Sequence, residues 1–311
     1  MSQTGIPPFP KLPLGETISL SYAWFFQKFA DVLRIAWLWL LLCAVVIAAT
    51  SWLQWTWFAS IMAGAPEGTT QFIQPQMAHP FGFVVLTTLV YIVVTLGTVS
   101  IAVAWHRRII LDEQPGLSGG NIVTSPLWHY IGIGVLLGLL FVLPFVIILL
   151  PFAIILGVQS AGTPGHPPSG IAFLVIPLAL ILYTAGIAVM LRLIVLLPAR
   201  AIGDLTLTFR QAWRRTGGNI WRMFWGLVAC TLPPLIVLEI LFHVVMAAIG
   251  FSVTPIASSD DSLTIPVLGL TIMNTTLFVL YVLIVPIYIG FLSHAYRHFF
   301  QDRIGRRSDL V

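Results

Sequence analysis

Six long apolar runs constrain this chain more than any other feature of its sequence. A bilayer core of roughly 30 Å is crossed by about 20 apolar residues in a helix. Six segments reach that length, near residues 35–61, 82–105, 130–158, 171–199, 221–249 and 267–293. Backbone polar groups inside a membrane must bond within their own segment, so each run is expected to be helical. The predicted fold class is therefore all-α, a polytopic membrane protein with six transmembrane helices.

Composition supports the same class. Only 8% of the 311 residues are charged and the mean hydropathy is +0.97, whereas about a quarter of residues are charged in soluble proteins. We expect one integral-membrane domain over residues 1–311, with flexible tails at 1–16 and 303–311. No basic start leads into a short apolar core at the N-terminus, so the first span is predicted to act as the targeting signal. Cys43 and Cys230 fall inside apolar runs and are expected to be buried hydrophobes.

The basic residues predict an orientation in the membrane. All Lys and Arg residues lie before the first span, between the second and third, around the junction of the fourth and fifth, or after the sixth. The connections 63–80, 159–170 and 252–266 contain none. The positive-inside rule therefore places both termini and the connections 106–129 and 200–220 in the cytoplasm. The net charge of +4 is concentrated beside apolar spans, which favours anionic lipid headgroups over nucleic acid as a partner.

Two stretches near opposite ends of the chain resemble each other. They are "LSYAWFFQKFADVLRIAWLWLLL" from Leu20 and "LTFRQAWRRTGGNIWRMFWGLVA" from Leu207. The corresponding positions include Ala23, Trp24, Arg34 and Trp37 in the first and Ala212, Trp213, Arg222 and Trp225 in the second. The similarity predicts a parallel two-span repeat, each copy made of a cytoplasmic interfacial helix, a span, an outer loop and a returning span. The alternative is chance similarity between apolar segments.

The second copy contains a cluster of arginines among aromatic residues. Helical spacing places Ile202, Leu205, Phe209, Ala212 and Trp213 on one face, which predicts an interfacial helix over 202–216. Gly217 and Gly218 are expected to end it, and Asn219 to cap the fifth span. The predicted ligands of lipid headgroups are Arg210, Arg214, Arg215 and Arg222.

Ionisable residues within or near the spans are the other functional candidates. Glu239 and His243 are four residues apart on one helical face, and they form either a candidate proton relay or a hydrogen-bonded pair at the interface. His294, His298 and Asp302 also follow four-residue steps, which makes them metal candidates or, alternatively, solvated residues at a helix end. No dense ligand motif accompanies them, so no metal or other cofactor is predicted.

A family resemblance rests on the segments around the fifth span. The "AW" helix, "LLPARAIGD" and "TGGNIWRMFWG", together with the six spans, resemble bacterial families of poorly characterised function. These include the membrane domain attached to some glycerophosphoryl diester phosphodiesterases, and related small inner-membrane proteins without an enzyme domain. The resemblance implies a bacterial inner-membrane protein. It implies no catalytic residues, because the phosphodiesterase activity belongs to a separate soluble barrel.

Three function classes follow from these observations. The short connections and the scarcity of buried charge favour a non-enzymatic membrane scaffold or accessory module that associates with anionic lipid. A small-molecule or proton-coupled transporter is the first alternative and would depend on Glu239 and His243. A lipid-processing membrane enzyme is the second alternative and would need the histidines to assemble into a site.

Overall fold

A computed structural model describes seven stretches of the chain, which are residues 11–63, 80–114, 124–162, 171–248, 256–257, 263–264 and 267–308. Within them, six helices are long and apolar enough to cross a membrane. Their apolar segments are Phe29–Trp57, Phe81–Leu111, Ser125–Pro144, Pro177–Ala201, Ile220–Val244 and Val267–Asp302. The predicted all-α, multi-pass membrane fold is confirmed.

The helices are numbered here in chain order. They are α1 (Leu14–Gln27), α2 (Phe29–Ala63), α3 (Pro80–Leu111), α4 (Ser125–Gly162), α5 (Ile171–Leu193), α6 (Leu196–Ala201), α7 (Phe209–Arg215), α8 (Ile220–Ala248) and α9 (Val267–Ser308). Two short strands, β1 (Ile256–Ala257) and β2 (Leu263–Thr264), pair antiparallel. The orders α1–α2–α3 and α7–α8–α9 each place a short helix before two long ones, as the repeat predicts.

The structure describes part of each predicted tail. Leu12 is fully buried and α1 already begins at Leu14, so residues 11–16 are held in place. At the other end α9 continues to Ser308 and includes the beginning of the predicted tail. The segments 1–10 and 309–311 lie outside the described residues. Most residues of the connections 63–80, 159–170 and 252–266 also lie outside them.

The chain divides into two compact units. One unit comprises residues 18–123 and 227–291, and in it α2 packs along α3. The buried Trp105 of α3 donates from Nε1 to the carbonyl of Pro286 in α9 at 2.9 Å. Asn274 of α9 donates to the Ser51 hydroxyl of α2 at 2.8 Å. This bond joins two of the apolar helices directly.

The other unit comprises residues 1–17, 124–226 and 292–311. In it α4 packs against α5 and α6, and α5 packs against α7. The last turns of α9 contribute Tyr296 and Phe300, two fully buried aromatic rings that stack on each other at 5.1 Å. This unit positions the arginine cluster of the second repeat copy.

Candidate functional site

The connection between α6 and α7 does not continue as a helix. Gly203 takes a φ of +76°, a left-handed conformation that ends α6. Asp204 Oδ1 then accepts hydrogen bonds from the backbone N–H and the hydroxyl of Thr206 at 3.0 and 2.7 Å, as short polar side chains do in turns. The predicted single helix over 202–216 is therefore wrong, because this local turn competes with the helix.

A capping box fixes the beginning of α7. The Thr208 hydroxyl accepts from the backbone N–H of Gln211 at 3.3 Å, and the Gln211 side chain accepts from the backbone N–H of Thr208 at 3.2 Å. This reciprocal arrangement satisfies two backbone donors that a helix start leaves open. The spacing of Thr208 and Gln211 is the signal in the sequence that indicates a helix beginning at Phe209.

Only one residue of α7 is fully buried, and that residue is Ala212. The residues of the predicted apolar face differ in burial, since Ile202 is buried while Leu205 is exposed. The exposed side of α7 carries aromatic and basic side chains together. We call these four residues the α7 surface: Phe209, Arg210, Trp213 and Arg214.

Two further exposed tryptophans follow in the first turns of α8. Trp221 and Trp225 are four residues apart, so they lie on the same side of the helix. Phe224 contacts both rings edge-on, with centroid distances of 6.0 and 5.2 Å. Exposed tryptophan at the end of an apolar span is typical of the boundary between membrane and water.

The four predicted headgroup ligands have different surroundings. Arg210 and Arg214 are exposed, and neither makes a side-chain hydrogen bond or ion pair with any residue that the structure describes. Arg215 and Arg222, by contrast, are partly buried and bonded to other parts of the chain. Nothing in the structure tests lipid binding by any of the four, and it stays a prediction.

Arg215 binds the last turns of α9. Its Nη1 and Nη2 donate to the two carboxylate oxygens of Asp302 at 2.6 and 2.8 Å, and Nη1 also donates to the carbonyl of Phe299 at 2.7 Å. The hydrogen bond to Asp302 raises the pKa of the Arg215 guanidinium above its ordinary value. This bidentate geometry is the strong form of the arginine–carboxylate pair.

Arg222 and Asn219 hold the N-terminal segment. The Asn219 side-chain oxygen accepts from the Leu12 backbone N–H at 2.9 Å, and Arg222 Nη1 donates to the Leu12 carbonyl at 2.6 Å. We call these two bonds the Leu12 clamp. Asn219 stands directly before α8, as predicted, but the acceptor bond that the structure shows for its side chain goes to Leu12. Gly218, with a φ of +74°, makes the turn between α7 and Asn219.

Arg192, near the end of α5, stacks on a ring of the α7 surface. Its guanidinium carbon lies 4.3 Å from the centroid of the Trp213 ring. The Arg192 Nε is buried, and it has no hydrogen-bond partner among the residues that the structure describes. The sequence marks Arg192 as an ionisable residue within a span, but nothing in it indicates the contact with Trp213.

The candidate proton relay lies in the other unit. The structure brings Glu239 and His243 together, with His243 Nδ1 3.5 Å from Glu239 Oε1 and 2.8 Å from the Glu239 carbonyl. Both side chains are mostly exposed, by 62% and 69%. Their adjacency was predicted from the four-residue spacing. A role in proton transfer stays a prediction.

The three metal candidates do not form a metal site. Asp302 is engaged by Arg215, and His294 is buried within the end of α9. In the described part of the chain, no group of three or more His, Cys, Asp or Glu side chains is placed to hold a metal ion. The four-residue spacing therefore does not bring His294, His298 and Asp302 together as ligands.

The ion cluster around Arg108 was not predicted from the sequence. Arg108, near the end of α3, donates from Nε to Asp31 at the start of α2 at 2.9 Å and also pairs with Asp112. The Trp24 ring of α1 lies 6.0 Å from its guanidinium carbon. The Arg108 side chain is only 5% exposed, so its charge needs these partners to offset the cost of burial.

The six apolar helices define this chain as a multi-pass α-helical membrane protein. No protein-family model, curated protein or solved structure matches it.

Proposed function

We propose that this chain is a bacterial inner-membrane scaffold or accessory module, without enzymatic activity, that associates with anionic lipid headgroups at the cytoplasmic face. The observation that carries the proposal is the α7 surface. Its two arginines are exposed and have no acidic partner among the described residues, and they alternate along a short helix with the exposed rings of Phe209 and Trp213. Basic and aromatic side chains in this arrangement suit the interface of an anionic leaflet.

The surroundings of the four arginines support a smaller set of proposed lipid ligands. Each basic residue near an anionic surface contributes about 1 kcal/mol to the attachment. Arg215 and Arg222 already bond to Asp302 and Leu12, so we propose that Arg210 and Arg214 contribute most. The attraction is between exposed charges and should weaken as salt is added.

Polar side chains within the described spans support the scaffold role. Asn274 bonds Ser51 across two helices, while Thr50, Thr184 and Thr275 bond carbonyls of their own helices. These groups serve packing and local structure. The resemblance to the membrane domain of glycerophosphoryl diester phosphodiesterases fits the same role and stays a prediction. Transport through Glu239 and His243, and lipid processing, are the alternatives.

The experiment compares lipid surfaces of different charge. An environment-sensitive probe on a Cys at Leu205, which is exposed just before α7, reports the surroundings of this helix in nanodiscs. In phosphatidylglycerol, Arg210→Gln with Arg214→Gln should move the probe to a more polar environment, because the helix loses its attraction to the leaflet. In phosphatidylcholine the same variant should give the wild-type signal.

Arg34→Gln is the matched control, because Arg34 is exposed near the start of α2 and lies outside the α7 surface. It should leave the probe signal unchanged in both lipids. Labelling of external cysteines must show that the topology is preserved, since removing basic residues also weakens the orientation signal. Identical signals from wild type and double variant in both lipids would contradict the proposal.

A further inference from the structure

The arginines that are buried or partly buried in the described part of the chain differ in whether their side chains have a hydrogen-bond acceptor. Five of them donate to an oxygen of the chain: Arg107 to Glu113, Arg108 to Asp31, Arg200 to the carbonyl of Leu207, Arg215 to Asp302, and Arg222 to the carbonyl of Leu12. Arg192 donates to no oxygen among the described residues. A guanidinium remains charged at every physiological pH, so among the described residues Arg192 has neither a counter-charge nor an acceptor.

The position of Arg192 makes this absence costly. Arg192 lies within the apolar segment Pro177–Ala201, where a charged group requires a partner or access to the headgroup region. Its Nε is enclosed and lacks an acceptor in the described part of the chain. Stacking on Trp213 at 4.3 Å stabilises the cation through the ring face, but it supplies neither a negative charge nor a hydrogen-bond acceptor.

We propose that Arg192 and Trp213 form a binding site for a phosphate group, and that an anionic phospholipid supplies it. The ring of Trp213 holds the guanidinium plane and the Nε is enclosed, which leaves the edge formed by Nη1 and Nη2 as the place for an acceptor. A planar fork of N–H donors matches phosphate oxygens better than a lysine ammonium does. Trp213 belongs to the α7 surface, so this inference rests on the proposed function and assigns a defined headgroup site to it.

Lipid retention in detergent tests the site. Protein is extracted from phosphatidylglycerol bilayers, and the lipid that stays bound is counted by native mass spectrometry. Arg192→Gln should reduce retained phosphatidylglycerol by about tenfold, the effect of one charge-assisted hydrogen bond. Arg192→Lys should cause a smaller loss, because it keeps the charge but not the fork. Unchanged retention in both variants would overturn the site and leave the stack as a packing contact.

Arg34→Gln is the matched control, since Arg34 is exposed and lies outside both the stack and the α7 surface. It should retain the wild-type amount of lipid in detergent. If Arg214→Gln loses lipid while Arg192→Gln keeps it, the site is wrong and the α7 surface still binds lipid. If wild type retains phosphatidylglycerol no better than phosphatidylcholine and the Leu205 probe also shows no difference between the lipids, the proposed function fails.

Millimolar inorganic phosphate in the same experiment distinguishes the two sources of a phosphate group. Phosphatidylglycerol that stays bound supports a lipid ligand, whose acyl chains add apolar contact. Displacement of the lipid by inorganic phosphate supports a site that takes the free anion. Thermal melting followed by circular dichroism shows whether Arg192→Gln still folds, and so separates loss of the ligand from loss of the fold. Trp213→Phe, which keeps an aromatic ring, is a second variant for the same measurement.

Discussion

Arg215 and Asp302 face each other with two parallel hydrogen bonds, of 2.6 and 2.8 Å, that join α7 to the end of α9. A different pair, Asp31 and Arg108, joins the start of α2 to the end of α3. In each copy of the predicted repeat, an ion pair therefore connects the region where the first long helix begins with the end of the second long helix. The acid, Asp31, comes first in one copy, whereas the base, Arg215, comes first in the other. The two stretches are therefore not similar at the residues that form these ion pairs.

Removing Arg215 should destabilise the unit that contains α7. Arg215→Gln breaks the two hydrogen bonds to Asp302 and the one to the Phe299 carbonyl. Since both side chains of the ion pair are partly exposed, we expect a loss of about 1–2 kcal/mol in the free energy of unfolding. Arg210→Gln, on the same helix but without these bonds, should have little effect. Thermal unfolding in detergent measures both, and equal stabilities would contradict a structural role for the pair.

The two acidic partners of Arg108 should differ in their effect on stability. Asp31 is 14% exposed and Asp112 is 81% exposed. Asp31→Asn leaves the buried guanidinium without its enclosed counter-charge and should cost about 3 kcal/mol of unfolding free energy. Asp112→Asn should cost less than about 1 kcal/mol, because that carboxylate is solvated. Chemical denaturation in micelles provides the comparison, and the reverse order would refute the assignment.

The Leu12 clamp should protect the N-terminal segment from trypsin. Cleavage after Lys11 requires the chain at Leu12 to leave Asn219 and Arg222, so we expect slow release of the peptide 1–11 from wild type. Asn219→Ala combined with Arg222→Gln should accelerate it at least several-fold, whereas Arg210→Gln, which does not touch the segment, should not. Mass spectrometry of the released peptide follows the rate. Equal rates in all three proteins would show that the two bonds do not restrain Leu12.

Orientation in the membrane is tested with single cysteines at Gly68, Gly165 and Ser258. The positive-inside rule places these positions outside the cytoplasm, so an impermeant thiol reagent should label each of them in intact cells. The native Cys43 and Cys230 are buried and should react slowly, and a variant lacking both is the control. Protection of all three new cysteines would overturn the predicted topology.

The sequence predicted the helical spans because their signal is local. A run of about 20 apolar residues can satisfy its backbone in a bilayer only as a helix, and this holds whatever the run packs against. The contact between Glu239 and His243 was predictable for the same reason, since four residues along one helix bring side chains together. The beginning of α7 was missed although its capping box was present, because apolar spacing continued across Gly203 and concealed the turn.

Contacts between distant parts of the chain could not be predicted in this way. Leu12 is 207 residues from Asn219 and 210 from Arg222, and Asp31 is 77 residues from Arg108. Periodicity and composition contain no information about such pairs. The Arg192–Trp213 stack belongs to the same group, since it depends on how α7 folds back against α5. Lipid binding by the four arginines stays a prediction, and their division into bonded and unbonded arginines required the structure.

The Leu12 clamp also sets an order of events during synthesis. Leu12 leaves the ribosome about two hundred residues before its partners do, so the N-terminal segment must wait unbound while the first four spans are inserted. Only after Asn219 and Arg222 have emerged can the segment dock and close this part of the molecule. A nascent chain stalled before residue 219 should therefore be cut by trypsin at Lys11 as fast as the double variant, and protection at that stage would disprove late docking.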